Sequence, residues 1–392
     1  MADQNPSRRD FAKKTVMAAV GAGLLNSASR SRFHTVSSQS ALVYVGTYTS
    51  GDSQGIYILS LDYASGELRS VETINGVTNP SYLALNHHRN YLYAVNEETE
   101  FQGKKSGAVS AFAIDKNTGS LKFLNKQATL GGAPCYVSVS INDKYILVAN
   151  YVGGNVSVFP VMSDGSLGAS IDVEQHTGKS VNPDRQEGPH AHCIVLDPSG
   201  RFAYSCDLGT DKIMIYRFDS ASGNLTHANQ PFVASKPGSG PRHLTLHTNG
   251  LYAYVINELD CTVSVLAVDK STGALKEIQN LPTLPSDFKS QNTSADIHVS
   301  PNGKFLYCSN RGFDGITAFK IDEKSGKLEF LSRQSTMGKT PRNFVIDPTG
   351  KFLLVANQTS NSIVTFRIDP ATGTLTPTGH SATIPTPVCL KF

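Results

Sequence analysis

One phrase recurs along this chain: an apolar strand opened by proline or a small residue, a short turn, and a second strand ending in Asn or Asp. Its clearest copies begin at Pro80 (PSYLALNHHRNYLYAVN), Pro134 (PCYVSVSINDKYILVAN), Pro241 (PRHLTLHTNGLYAYVIN) and Pro341 (PRNFVIDPTGKFLLVAN), with weaker copies from Ala191 and Ser294. In each copy the fourth and sixth residues are apolar, as in Leu83/Leu85, Ile194/Leu196 and Phe344/Ile346, which is the alternation of a β-strand. Hairpin chemistry follows at Asp197–Gly200, Pro301–Gly303 and Asp347–Gly350. A third strand comes after the Asn, and most copies then carry a D-x-x-[ST]-G-x-L turn (Asp115–Leu121, Asp269–Leu275, Asp322–Leu328, Asp369–Leu375) into a fourth. Four antiparallel strands repeated at roughly 40–55 residues are the pattern of propeller blades.

Both ends of the chain fall outside the six full copies. Residues 41–74 carry strands two to four of a blade without a first strand, and Pro387–Phe392 reads as a first strand with nothing after it. Joining them makes a seventh blade, closed by the C-terminal strand, and closure hides the edges an open array would expose. The expected fold is therefore an all-β, seven-bladed propeller over residues 41–392.

Trp is absent, so this is not the tryptophan-containing WD repeat, and the net charge of +3 gives no nucleic-acid signal. No stretch after residue 40 is apolar enough to span a bilayer. The N-terminus reads differently. Ser7-Arg8-Arg9-Asp10-Phe11-Ala12-Lys13 matches the twin-arginine export pattern, followed by a mildly apolar stretch to Leu25 and the small residues Ser27-Ala28-Ser29. Residues 1–40 are thus expected to be an export signal and linker, recognised by the twin-arginine translocation machinery, with the mature protein periplasmic or secreted. The six cysteines lack CxxC spacing, which argues against a zinc knuckle. Cys193 and Cys206, on adjacent strands of one hairpin, are expected to be small buried apolar groups rather than a disulfide.

In a propeller the first strand of each blade lines the channel and the second runs back beside it. The start of one and the end of the other share a channel mouth. His190, His192, Arg242, His243 and Arg342 come to that mouth from the strand starts, and Glu97, Asp207, Glu258 and Arg311 from the strand ends. Residues far apart in sequence thereby converge on one concave site.

At these residues the chain resembles a known family. The segments Gly188-Pro189-His190-Ala191-His192, Gly240-Pro241-Arg242-His243, Asn257-Glu258-Leu259, Ala295-Asp296-Ile297-His298 with Asn310-Arg311, and Pro341-Arg342-Asn343-Phe344 look like the lactonase family of seven-bladed propellers. Its named activity is 6-phosphogluconolactonase, and fungal muconate-lactonizing enzymes are related. The resemblance covers Ala41 to Phe392 and implies hydrolysis of a sugar lactone, either 6-phospho-D-glucono-1,5-lactone or an unphosphorylated aldonolactone. It makes His190, Arg242, Glu258 and Arg311 catalytic candidates and Arg342 and His298 secondary ones. His192, His243 and Asp207 join these two as substrate-binding candidates.

The chemistry is coherent. Fixed Arg or His donors stabilise the oxyanion formed when water attacks a lactone carbonyl. Glu258 is expected to act as base or water-positioning group and His190 as its acid/base partner. Arg242 would clamp the carbonyl or carboxylate, and Arg311 would bind a substrate anion. No G-x-S-x-G elbow suggests an acyl-enzyme, and no cofactor or metal is called for. Plain alternatives stand beside these roles: an Arg242–Glu258 structural ion pair, a core His298, an Arg311 paired with Asp296. A non-catalytic propeller binding a ligand or protein at the same mouth is the competing function.

Overall fold

The computed structural model describes residues 39–392. The export-signal expectation falls on residues outside this range. Within it lie seven four-stranded antiparallel sheets arranged as blades of a ring, with no helix among the described residues. The C-terminal strand Pro387–Lys391 is the innermost strand of blade 1, paired antiparallel with Ser40–Thr47 through Tyr44↔Lys391 and Val45↔Leu390. The two ends of the chain therefore share one sheet, as the incomplete terminal repeats require. Blades 2 to 7 follow in chain order.

Local chemistry builds each blade. In the turn after the third strand, Asp115 Oδ1 accepts the N–H groups of Asn117 and Thr118 at 2.9 Å each and the Thr118 hydroxyl at 3.0 Å. Asp269, Asp322 and Asp369 likewise accept backbone N–H groups in their turns. The glycine of the turn then serves the neighbouring blade. Tyr44, Tyr204, Tyr254 and Tyr307 donate their hydroxyls to the carbonyls of Gly119, Gly273, Gly326 and Gly373 one blade on. Gly273 illustrates why no other residue suffices: its φ is +75°, and a Cβ there would sit 2.3 Å from the Phe202 ring. The D-x-x-[ST]-G-x-L motif is thus both a turn and a staple between blades.

Apolar faces of adjacent blades bury each other. Phe202, Tyr204 and Ile215 of blade 4 pack on Leu244, Val255 and Leu266 of blade 5. Val43, Val45 and Leu59 of blade 1 pack on Phe352, Leu354 and Ile363 of blade 7, which seals the ring. All six cysteines are buried and free, including Cys193 and Cys206, which lie opposite each other in register. The repeated Asn residues are structural: Asn150 reaches the carbonyl of Thr129 and Asn357 that of Thr336, tying the second strand to the incoming loop.

Candidate active site

The first two strands of each blade meet at the mouth as the repeat implies: Ala191 pairs with Asp207, Pro241 with Asn257 and Pro341 with Asn357. A regular ladder would alternate side chains strictly between the two faces. Here the register slips just inside the mouth, leaving Cys135, His192, Arg242 and Arg342 as the extra residues of four β-bulges. A bulge re-aims a side chain that the pleat would otherwise send elsewhere. The second contribution comes from the residue just past the Asn position: Glu97, Tyr151, Glu258 and Arg311, with Tyr48 after Thr47 in blade 1. Two positions per repeat therefore build most of the site.

They enclose a cavity of about 340 Å³ whose wall holds Arg185, Arg311 and Arg342 against Glu97 and Glu258, with Tyr48, Cys135, Tyr151, His192 and Thr293 between them. The two carboxylates live in different surroundings. Glu258 is buried among arginines: Oε1 lies 2.7 Å from Arg185 Nη2, and Oε2 lies 3.0 Å from Arg311 Nη2 and 2.9 Å from Arg242 Nε. The Arg242 N–H is not aligned for a hydrogen bond, so that contact is an ion pair only. Burial alone would raise the Glu258 pKa, but Arg311, Arg242 and Arg185 outweigh it and hold the carboxyl at about 2. Burial lowers Arg311 to about 10 despite Glu258, so it still carries its charge at neutral pH.

Glu97 has no arginine or lysine at ion-pair distance among the described residues. It accepts the Tyr48 hydroxyl at 3.0 and 2.9 Å and the Ser81 hydroxyl on Oε2. Arg342 reaches it only through Tyr48, donating Nη2 to the phenol oxygen at 2.8 Å. Burial, helped by Arg242, His243 and Arg342, pushes the His192 imidazole well below its usual range and leaves it neutral. Burial likewise pushes the Cys135 thiol up, so it is no ready nucleophile.

Of the ten residues singled out from sequence, Glu97, His192, Glu258, Arg311 and Arg342 line this cavity. Arg242 sits behind Glu258 with 2% of its side chain exposed, and does not reach the cavity wall. His190 lies one layer out, stacked on Tyr151 at 4.4 Å, its ring nitrogens engaged by the Tyr151 carbonyl and Glu187 Oε1. Asp207 occupies the Asn position and does its structural work. It accepts the N–H groups of His190 and Thr210 and pairs with buried His176 at 2.6 Å. His243 and His298 line a separate cavity with Tyr82, Tyr136, Asp296 and Lys391.

Sequence reading missed Arg185, which lies in the connection 176–190 before blade 4. That connection is pinned by His176–Asp207 and by Gln186 Nε2 donating to the Leu208 carbonyl at 2.9 Å. Gly209 lets it approach: a Cβ there would lie 1.9 Å from the Gly188 carbonyl oxygen. Tyr48 and Tyr151 were missed because attention to charge passed over them. Their place just after the second strand was the signal that would have found them.

A model of the seven-bladed β-propeller lactonases matches residues 42–392. The 6-phosphogluconolactonase of Bacillus subtilis is 41% identical over 349 residues, covering 89% of this chain and 97% of that protein. Among solved structures, the periplasmic gluconolactonase of Pseudomonas aeruginosa superposes with a TM-score of 0.85 at 36% identity, covering 90% of this chain and 99% of that one. A Bacteroides fragilis protein carrying the provisional name 6-phosphogluconolactonase gives a TM-score of 0.84 at 41% identity, covering 91% and 98%. The chain belongs to the seven-bladed β-propeller lactonase family.

Proposed function

We propose that the cavity hydrolyses a glucono-1,5-lactone, with Glu97 rather than Glu258 as the base. The observation that carries this reading is the contrast between the two carboxylates. A group held at about 2 by three arginines is a poor proton acceptor at neutral pH. Glu97, held by two hydroxyls, is free of direct ion pairs and faces the same space. Environments that separate two carboxylates also separate their roles.

Glu97 takes a proton from water as the oxygen attacks the lactone carbonyl. The arginines gathered by Glu258 receive the developing oxyanion, a term typically worth about 10²–10³ in rate per donor. Collapse of the tetrahedral intermediate breaks the bond to the ring oxygen, which takes back the proton held by Glu97. The product is the open-chain aldonic acid, which ionises to the aldonate and releases one proton to the solvent. Wall charge favours an anionic substrate or product, since three arginines face two carboxylates.

The two named relatives split over phosphate, one a 6-phosphogluconolactonase and the other a periplasmic gluconolactonase. The export motif at Ser7–Lys13 and the periplasmic relative together favour the unphosphorylated lactone and an exported enzyme. A pH-stat assay of acid release from glucono-1,5-lactone and its 6-phosphate tests both parts. Hydrolysis of neither above the spontaneous rate would leave a binding propeller; a strong preference for the phosphate would overturn the choice of substrate.

A further inference from the structure

Three consecutive blades, 7, 1 and 2, meet at one phenol. Tyr48 of blade 1 donates its hydroxyl to Glu97 of blade 2, at 3.0 Å from Oε1 and 2.9 Å from Oε2, and accepts Nη2 of Arg342 of blade 7 at 2.8 Å. Burial, with Glu97 beside it, raises the pKa of the phenol despite Arg342, so its proton stays on the oxygen. The order of the bonds is therefore fixed: guanidinium to phenol, phenol to carboxylate. The Arg342 guanidinium also lies over the Tyr48 ring, 5.3 Å from its centroid.

The closing seam of the ring holds this phenol in place. The Tyr48 N–H donates to the Thr386 carbonyl at 3.2 Å and its own carbonyl accepts the Thr386 hydroxyl, one residue before the strand Pro387–Lys391. The next residue, Thr49, exchanges hydrogen bonds with Asn79. Asn79 Oδ1 accepts the Thr49 N–H at 2.9 Å, and the Asn79 N–H donates to the Thr49 hydroxyl at 3.0 Å. The Asn79 carbonyl in turn accepts the Glu97 N–H at 3.1 Å. Two adjacent residues thus orient Glu97 through its side chain and its backbone alike.

What the arrangement prevents is a direct ion pair. Arg185, Arg242 and Arg311 are all paired with Glu258. Arg342 and Glu97 line the same cavity, yet neither has an oppositely charged partner at ion-pair distance among the described residues. A carboxylate and a guanidinium this near attract each other strongly away from bulk water. Direct contact would favour the charged forms of both and leave neither available to a substrate.

We propose that Tyr48 is a positioning residue whose hydroxyl keeps Glu97 and Arg342 one oxygen apart, leaving the carboxylate free to take a proton and the guanidinium free to meet the substrate's oxygens. A carbonyl under attack by water needs a base beside the water and a donor beside the oxygen, and the two sides of one hydroxyl provide that spacing. Arg342 thereby adds a donor to those that Glu258 gathers. The catalytic consequence rests on the lactone-hydrolysing reading, whereas the spacing does not.

Tyr48→Phe keeps the ring under Arg342 and removes the spacer, and two measurements on it test the proposal separately. Its crystal structure should show Glu97 and Arg342 in direct contact. Side chains left as far apart as in the wild type, with or without a water in the hydroxyl's place, would overturn the proposal whether or not any lactone is hydrolysed. Initial rates with glucono-1,5-lactone should show kcat lowered by on the order of tenfold to a hundredfold, with KM within about threefold of wild type, as for an interaction that acts in the transition state. An unchanged kcat, or a loss confined to KM, would overturn the role in catalysis. Tyr57→Phe removes another phenol of blade 1, one that accepts the Gln54 N–H at the surface, and should leave both constants unchanged. An equal loss there would overturn the assignment to Tyr48.

Discussion

Replacing Glu258 by glutamine is expected to damage stability as much as activity. The substitution keeps shape and removes one negative charge from the midst of three guanidinium groups. Arg185 is 37% exposed and can turn toward water, but Arg311 and Arg242 expose only 13% and 2% of their side chains. Arg242 keeps its bond to the Ala295 carbonyl and its contact with the His243 ring, and Arg311 its bond to the Ser294 carbonyl, yet neither keeps a counter-ion among its described ion pairs. Breaking a buried pair from one side costs about 3–5 kcal/mol, because a charge is left without compensation. With an unfolding entropy near 2.1 cal/mol/K per residue and roughly 350 residues in the propeller, this lowers Tm by about 4–7 °C. Calorimetry at neutral pH measures it, and Arg242→Met added to Glu258→Gln should recover part of the loss. A Tm within about 1 °C of wild type would refute the reasoning, because it would mean that water already screens these arginines.

Glu97→Gln should behave in the opposite way, lowering kcat by about 10²–10⁴ as expected for loss of a general base, with little change in Tm by calorimetry because both hydroxyl partners can still hydrogen-bond to the amide. Arg185→Ala should raise KM for the lactone about tenfold or more, since a hydrogen bond to a charged group is worth about 1.5–3 kcal/mol, with a smaller change in kcat from the same initial-rate series. Acid should weaken the fold through Glu258. Its folded pKa of about 2 lies below the usual carboxylate value near 4.5, so its stabilising contribution is complete above about pH 4.5 and is lost as pH falls toward 2. Glu258→Gln should flatten that part of a denaturant-midpoint profile against pH.

The repeat made the ring legible, because alternation, turn residues and the two incomplete ends all depend on local chemistry. It also placed Glu97, Glu258, Arg311, His192 and Arg342 at one mouth, since strand starts and strand ends must meet there. Depth was harder to read. Arg242 looks equivalent to Arg342 in sequence, yet the Glu258 carboxylate lies in front of it and it never reaches the cavity. Asp207 stood out as a departure from Asn, but it fills the same place in the hairpin, accepting backbone N–H groups where the Asn residues donate to carbonyls; the residue after it, Leu208, is fully buried and leaves the cavity wall to His192. Arg185 belongs to no repeat, and only the folded connection 176–190 shows that it reaches Glu258, 73 residues away in sequence.

The bulges have a consequence for how such a ring acquires new preferences. A residue in the regular ladder is constrained twice, by the partner strand and by the neighbouring blade. The extra residue of a bulge stands outside the ladder, so its side chain is released from the pleat's alternation even where, as with Arg242, it is held by the neighbouring blade. In this chain the bulged positions read Val388, Cys135, His192, Arg242, the pair Ala295-Asp296, and Arg342, a different chemistry from blade to blade on nearly the same frame. The channel mouth is thus a set of slots whose occupants differ while the strands that carry them repeat, so the ring keeps one architecture and concentrates its chemical variety at a single layer.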